Sequence, residues 1–547
     1  MASPASRPSA WERANLPLER LTDEQRRVLA YASAIGKEFD FALLRSATGL
    51  AEEPLAELLE GLVHQGLLRE RPGGERFSFV QEDVRMRLYR EMTESRVRVI
   101  HRKVGEAYER LYPDPPAEVL PELGRHYFLG RVHDRSFRYN RRSATLAREA
   151  LAPEIAAHHL ERARSDLREM SGDHREEEAG LLLELGELYG LMNDDLKADR
   201  LCVEALELVP PQRPLLRALI LLARAEVARN QAQAERGREL CTDALRVLEK
   251  EGHRRGLARV HRLLGRLASL EGNTKVAIEE GERSLQLLDA KEDAREIARC
   301  YVDLGNAFSS AGGAGNLSRA VEYYRQALDM VEKLGDWHEA SRACNNLAVA
   351  VGPKNPREGV EWLQKGRAFA ERAHDRRMVG WTLFNAVEFR LQLGQLDEAE
   401  RENHEARRIL ERLQDPIGIQ QIAMNDGLLA IRRGHFGEAE ASLQRSLRMS
   451  EEMGATPQVS ELHLRLAMLY DTWGDPERAK VELARAEYLN VDAYAPGLVP
   501  GHRELRQRLG LPEGPTTEPR PSSGTIPSTP PAAPSEASAG PAPNAKP

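Results

Sequence analysis

Small residues recur along this chain with a period near 40, and no other feature limits so strongly what it can fold into. A first series runs Gly186, Ala225, Gly265, Gly305, Ala348, Ala386, Gly427 and Ala467, at spacings of 39, 40, 40, 43, 38, 41 and 40. About twelve residues after each member stands a second small residue: Ala198, Gly237, Ala277, Ala320, Gly359, Ala399, Ala439 and Ala479. Seven residues later comes a third: Ala205, Ala244, Ser284, Ala327, Gly366, Ala406, Ser446 and Ala486. A small side chain at a crossing point lets two helices approach to ~8–10 Å, so each unit reads as a pair of helices in close contact. Turn residues fall between paired helices at Gly272-Asn273, Gly394, Gly434 and Gly474, and between units at Gly252, Gly335-Asp336, Asp415-Pro416 and Gly454. A lone hairpin of this kind cannot bury its apolar face, so the eight units must stack.

Composition supports an all-α chain. Of the 547 residues 41% are hydrophobic, 5% aromatic and 30% charged, a mixture rich in strong helix formers. Lys plus Arg is 78 against 86 Asp plus Glu, a net charge of −8 that argues against nucleic acid as the partner of the bulk surface. No stretch approaches ~18 consecutive apolar residues and the first residues lack the apolar centre of a signal peptide, so the expectation is a cytoplasmic protein without membrane contact. Cys202, Cys241, Cys300 and Cys344 lie too far apart in sequence for a zinc or redox pair and fall within helical patterns, where they read as small buried apolar side chains.

Five segments follow. Residues 1–20 read as a flexible lead-in, 21–92 as a winged-helix-like domain, 93–170 as a helical linker with degenerate repeats, 171–511 as the repeats, and 512–547 as a disordered tail. In the second segment Thr22 is placed to cap a helix with Val28, Leu29, Ala32 and Ile35 on one face. A short helix through Phe41, Leu43 and Leu44 and a third from about Glu53 to Gly66 follow. Leu67 to Arg71 and Arg76 to Val80 then read as two strands joined across Pro72, Gly73 and Gly74. The tail holds 11 prolines in 36 residues and no aromatic residue, too little apolar surface to offset the entropy of ordering. PxxP matches there, such as Pro527 to Pro530 and Pro531 to Pro534, are what such a composition yields by chance.

Two resemblances arise from these residues. The register of Leu264-Gly265 with Ala277 and Ser284, or Leu304-Gly305 with Tyr323-Tyr324 and Ala327, resembles the tetratricopeptide repeat. The period near 40, against the usual 34, is similar to the long-helix variant of maltose-regulator-type activators and polarity adaptors. HEAT-type repeats share the period but do not explain the three small positions. The segments Val28 to Asp40 and Leu62 to Leu68, with His126-Tyr127, resemble the winged-helix region that follows the nucleotide-binding module of large bacterial signalling ATPases. The chain begins where that winged helix would begin, so ATPase activity is not expected to carry over. The fold class implied is all-α, a right-handed α-α superhelix of tetratricopeptide-like hairpins with a small N-terminal winged helix.

Catalytic signatures are missing from the sequence. The only Gly-Lys pair, Gly36-Lys37, has Tyr31 where a phosphate-binding loop needs glycine and Glu38 where it needs Ser or Thr. His338-Glu339 and His404-Glu405 lack the second histidine of a zinc-protease motif, and the adjacent His158 and His159 diverge by ~100° on a helix. The expectation is a chain with no catalytic residues, metal or cofactor. The helix following Ala51 carries Glu52, Glu53, Glu57 and Glu60 and no Lys or Arg before Gly66, an arrangement that repels phosphate and makes DNA recognition through it improbable.

The array supplies the candidate site. In tetratricopeptide stacks the first helix of each hairpin faces the groove with residues six and three before, and one and four after, the tight-packing position. These offsets select Arg259, Arg262 and Arg266, then Arg299 and Asn306, then Arg342 and Asn345 with Asn346 beside it. Forked guanidinium donors suit carboxylate or phosphate, and Asn suits the backbone of an extended peptide. Farther along the same offsets give Leu383, Val387, Met424, Leu428 and Ile431, an apolar groove floor. The reading is a non-enzymatic scaffold or adaptor for signalling proteins, with serine/threonine kinases or signalling ATPases the partners implied by resemblance. Its alternatives are a transcriptional regulator using the winged helix, or a subunit regulating a complete signalling ATPase in trans.

Overall fold

The computed structural model describes residues 21–512 apart from 193, 232 and 490–498. The lead-in expected over 1–20 and all but the first residue of the tail expected over 512–547 lie outside the described residues. Two compact units divide the chain, residues 1–233 with 242–247 and residues 234–241 with 248–547, so the helix Ala234–Lys250 contributes to both.

In the first unit, α1 (Asp23–Ile35) begins at a reciprocal cap. The Gln25 amide donates to the Thr22 hydroxyl at 3.2 Å, and the Thr22 amide donates to Gln25 Oε1 at 3.1 Å. Then come β1 (Glu38–Asp40), α2 (Phe41–Thr48), α3 (Glu52–His64), β2 (Leu68–Glu70) and β3 (Arg76–Phe79). The strands form one antiparallel sheet in the order β1-β3-β2. β1 is an element that sequence reasoning missed: three residues carry no readable alternation, and the strand exists because Phe39 packs on Phe77 and Phe79, each 6.1 Å away between ring centres. Leu55, Leu59 and Leu62 of α3 are fully buried, while Glu52, Glu53, Glu57 and Glu60 face solvent.

Next are α4 (Glu82–Arg90), α5 (Glu94–Leu111), α6 (Leu120–Leu129) and the hairpin of α7 (His133–Glu149) with α8 (Pro153–Glu169). Ile100, Val104 and Ala107 of α5 share one apolar core with Leu29, Leu44 and Leu59. A buried polar chain joins these elements. Arg125 donates to the Ile35 carbonyl at 2.8 Å and lies 3.0 Å from His126 Nε2; the two Nδ1 atoms of His126 and His101 are 2.8 Å apart; and His101 Nε2 is 2.8 Å from the Tyr89 hydroxyl. Because Arg can only donate, the network assigns both imidazoles as neutral, with His126 Nδ1–H donating to His101.

Burial, reinforced by Arg125, lowers His101 to about 3 and holds His126 well below the ordinary 6.5. The unfolded chain therefore binds protons below pH 6.5 that the folded unit does not, so stability is complete above that pH and falls as pH drops. Going from pH 7.5 to 5.5 should cost the first unit about 1.4 kcal/mol per imidazole, about 3 kcal/mol together. Hydrogen exchange of α5 and α6 measures this, and protection unchanged by acidification would refute it.

The repeats follow as eight hairpins: α9 (Arg175–Leu191) with α10 (Asp195–Leu208), α11 (Pro214–Asn230) with α12 (Ala234–Lys250), α13 (Arg254–Leu270) with α14 (Thr274–Gln286), α15 (Ala294–Ala311) with α16 (Ala314–Leu334), α17 (Trp337–Val351) with α18 (Pro356–Arg372), α19 (Arg376–Gln392) with α20 (Leu396–Arg412), α21 (Pro416–Arg433) with α22 (Phe436–Glu452), and α23 (Thr456–Trp473) with α24 (Pro476–Tyr488). The small residues sit at the crossings. A Cβ on Gly186 would lie 2.7 Å from Cys202 Sγ, one on Gly427 2.6 Å from Leu443, one on Gly265 3.0 Å from the Ala277 carbonyl, and one on Gly305 would overlap the Tyr324 ring. Ala198, Ala320, Ala327, Ala399 and Ala439 have no exposed surface. All four cysteines are buried, and burial pushes the Cys202 and Cys344 thiols up to about 12 and Cys300 to about 11. At the far end α25 (Val499–Arg508) lays Leu505 into a cluster with Leu464 and Leu483.

Successive first helices of the second unit are also tied by charge. Arg255 pairs with Asp293 at 2.5 Å, Arg295 with Asp336 at 3.4 Å, His338 with Asp375 at 2.6 Å and Arg377 with Asp415 at 2.6 Å. Each aspartate occupies the N-cap position of the next first helix, and Asp336, Asp375 and Asp415 also accept a backbone N–H there.

Candidate partner-binding face

The residues selected by the groove offsets lie on α13, α15 and α17, within the second unit, and the structure joins them to acidic and amide side chains that sequence reasoning missed. Arg262 reaches Asp303 at 3.1 Å and Arg266 reaches the same carboxylate at 3.8 Å. Arg299 lies 3.0 Å from Glu296 and 3.7 Å from Glu339, which also accepts from Arg342 at 3.3 Å. Arg259 is half-buried beside Arg262 and Glu296. Asp303, Glu296 and Glu339 therefore engage four of the five arginines, which do not form a bare basic stripe. Burial pushes the Glu339 carboxyl up, but Arg342 and Arg299 outweigh it and hold the group below its ordinary range.

The asparagines form a ladder. Asn306 Oδ1 accepts from the Tyr324 hydroxyl at 2.8 Å and from Asn346 at 3.0 Å. Asn385 donates to Asn345 at 2.8 Å, Asn425 donates to the Phe384 carbonyl at 3.0 Å, and the buried Arg465 sits 3.0 Å from Glu388 and 2.6 Å from Glu461. Asn345, Asn385, Asn425 and Arg465 are spaced at 40 residues each, a signal present in the sequence but not exploited. The donors and acceptors of each rung are turned toward the neighbouring repeat, so an extended ligand would exchange with, or add to, bonds already made.

The apolar floor is a correction. Leu383, Val387 and Met424 are almost wholly buried among residues such as Ala406, Leu410, Leu429 and Leu443, and belong to the packing between hairpins. Leu428 and Ile431 are half-buried beside the same clusters. Thr382, Phe384, Ala423 and Asn425 on either side of Leu383 and Met424 are buried too, so these two helices are covered on nearly every face. Of the histidine pair, His158 is exposed and His159 is buried on Asn140 at 2.8 Å. Among the described residues no group of three His, Cys, Asp or Glu side chains is placed to hold a metal ion.

No protein-family model matches this chain, and no curated protein matches it. Solved structures do. A Rap protein complexed with Competence and Sporulation Factor aligns at 12% identity with a TM-score of 0.51, over 68% of this chain and 99% of that one. At that identity the likeness shows the fold, an all-α superhelix of tetratricopeptide-like hairpins. A Signal Transduction ATPase with Numerous Domains from Pyrococcus horikoshii, with a tetratricopeptide repeat sensor, aligns at 14% identity and TM-score 0.47 over 81% of this chain. The chain spans 65% of that protein's length. Aspartyl phosphate phosphatase F from Bacillus subtilis aligns at 13% identity and TM-score 0.46, over 65% of this chain and 94% of that one.

Proposed function

We propose that this chain is a non-enzymatic adaptor that binds other proteins, or extended segments of them, along the face lined by α13, α15 and α17. The observation that carries the reading is the recurrence of Arg and Asn on successive first helices, Arg259, Arg299 and Arg342 six residues before the crossing position and Asn306 and Asn346 joined from one repeat to the next. The expected partners are signalling proteins, serine/threonine kinases or signalling ATPases among them, and the expected location is the cytoplasm. No helix among the described residues is long and apolar enough to cross a membrane. The segment over 21–92, with β1 between α1 and α2 and the pair β2 and β3 after α3, acts in this reading as a winged-helix-like protein contact, since the exposed side of α3 is a row of glutamates.

Because Arg299 and Arg342 hold the buried Glu339 carboxylate, alanine variants would confuse binding with folding. The test is Arg299→Lys with Arg342→Lys, which keeps a cation beside Glu339 and removes the fork, against Arg325→Lys with Arg401→Lys on second helices. Against a partner captured by affinity pull-down and identified by mass spectrometry, the inner pair should weaken binding about tenfold and the outer pair should leave it unchanged. Equal binding by both would overturn the proposal.

A further inference from the structure

A cavity opens in the first unit, well away in sequence from the repeat arginines. It has a volume of about 580 Å³, within the usual range for a small organic ligand. Met92, Val97, Phe128 and Leu129 supply an apolar wall. Arg90 from the end of α4, Arg98 from α5 and Arg131 from the turn between α6 and α7 converge on it. That turn is held against α5, because Gly130 packs so closely that a Cβ there would lie 3.0 Å from the Arg102 amide.

Most arginines of this protein are matched to carboxylates, and several here are not. Arg98 is 3.1 Å from Glu94. The guanidinium groups of Arg90 and Arg131 are exposed and meet no acceptor among the described residues. Arg162 is half-buried and stacks on the Phe128 ring at 5.5 Å, also without an acceptor. It stands on the same face of α8 as Ser165, Asp166 and Glu169 of the cavity wall. Asp166 is already engaged, hydrogen-bonded to His133 at 2.9 Å and to the Ser136 hydroxyl. Two guanidiniums of the cavity wall, Arg90 and Arg131, thus lack a carboxylate partner beside the apolar surface.

We propose that this cavity binds a small organic anion, a carboxylate or phosphate monoester carried on an apolar acyl or aryl body. The apolar part packs on Met92, Val97 and Phe128, and the head group is bound by Arg90 and Arg131, whose charges gain from being matched where the wall limits water. Such a ligand would touch α4, α5, α6 and α8 at once and so brace the elements that the buried histidine chain also joins.

Calorimetric titration of the full chain with sodium decanoate and with octyl phosphate, both below their micelle concentrations, tests this. Saturable binding of one molecule per chain is expected for at least one of them, and the tighter head group distinguishes a carboxylate ligand from a phosphate one. The double variant Arg90→Ala with Arg131→Ala should weaken it about tenfold. Both side chains are exposed and unbonded, so circular dichroism should be unchanged; Arg90→Glu with Arg131→Glu should abolish binding. Decyltrimethylammonium, the same kind of tail with a cationic head, should bind about tenfold more weakly than the better anion. No saturable heat with either anion, equal affinity for the cation, or unchanged affinity in the double variant would each overturn the proposal.

Discussion

Replacing Arg299 and Arg342 together by alanine is expected to destabilise the second unit by about 3–5 kcal/mol, because it strands the Glu339 carboxylate. Glu339 is 8% exposed, and the two guanidiniums that approach it come from α15 and α17. Removing one should cost much less, since the other can still neutralise the charge. Adding Glu339→Gln to the double variant should recover most of the loss, which separates a stranded charge from lost packing. The sign with pH follows from the depressed carboxyl: its stabilisation is present above the unfolded carboxylate's range and is lost as pH falls through the folded value, so the effect should fade on acidification. All four tryptophans outside the first 20 residues, Trp337, Trp362, Trp381 and Trp473, lie in the second unit, so urea unfolding followed by their fluorescence reports on it. A loss below about 1 kcal/mol in the double variant would sink the expectation.

Asp415→Ala is expected to cost about 3 kcal/mol. One carboxylate oxygen accepts from the Gly418 amide at 3.0 Å and caps α21; the other accepts from Arg377 at 2.6 Å and from the Trp381 indole at 3.0 Å. The cap is worth about 1 kcal/mol. The remainder is the cost of leaving a partly buried indole N–H and guanidinium without their acceptor, about 1–3 kcal/mol. Asp415→Asn, which can still cap, should lose about half as much. If both variants unfold at the wild-type urea midpoint, the tie between α19 and α21 contributes nothing to stability.

These two sites mark where sequence reading stopped. The hairpin count and the crossing residues were legible because close helix contact excludes bulk, and that exclusion repeats in the composition of fixed positions: Gly265 against the Ala277 carbonyl, Gly427 against Leu443. The arginine positions followed instead from the groove offsets that the tetratricopeptide resemblance implies. Their partners were not read, although Glu296 and Glu339 stand only three residues before Arg299 and Arg342, because a charge on a helix face looks equally like a solvated residue and a counter-ion. Strand β1 escaped because three residues are too few to show a period. The apolar floor failed because an apolar residue at a groove offset reads the same whether it lines a groove or packs between hairpins, and only the packed neighbours of Leu383 and Met424 reveal which it is.

By itself, then, the sequence determined the all-α class, the eight hairpins and the positions where helices touch, since these depend on side-chain size at a constant spacing and size is written in the residue type. Only the tertiary structure decided that Asp293, Asp336, Asp375 and Asp415 link each first helix to the one before it, that Asn345, Asn385 and Asn425 bond from repeat to repeat, and that Arg90 and Arg131 are left without acceptors beside a cavity. Such pairings depend on distances between segments some forty residues apart, and the energy of a charge is set by what surrounds it in space.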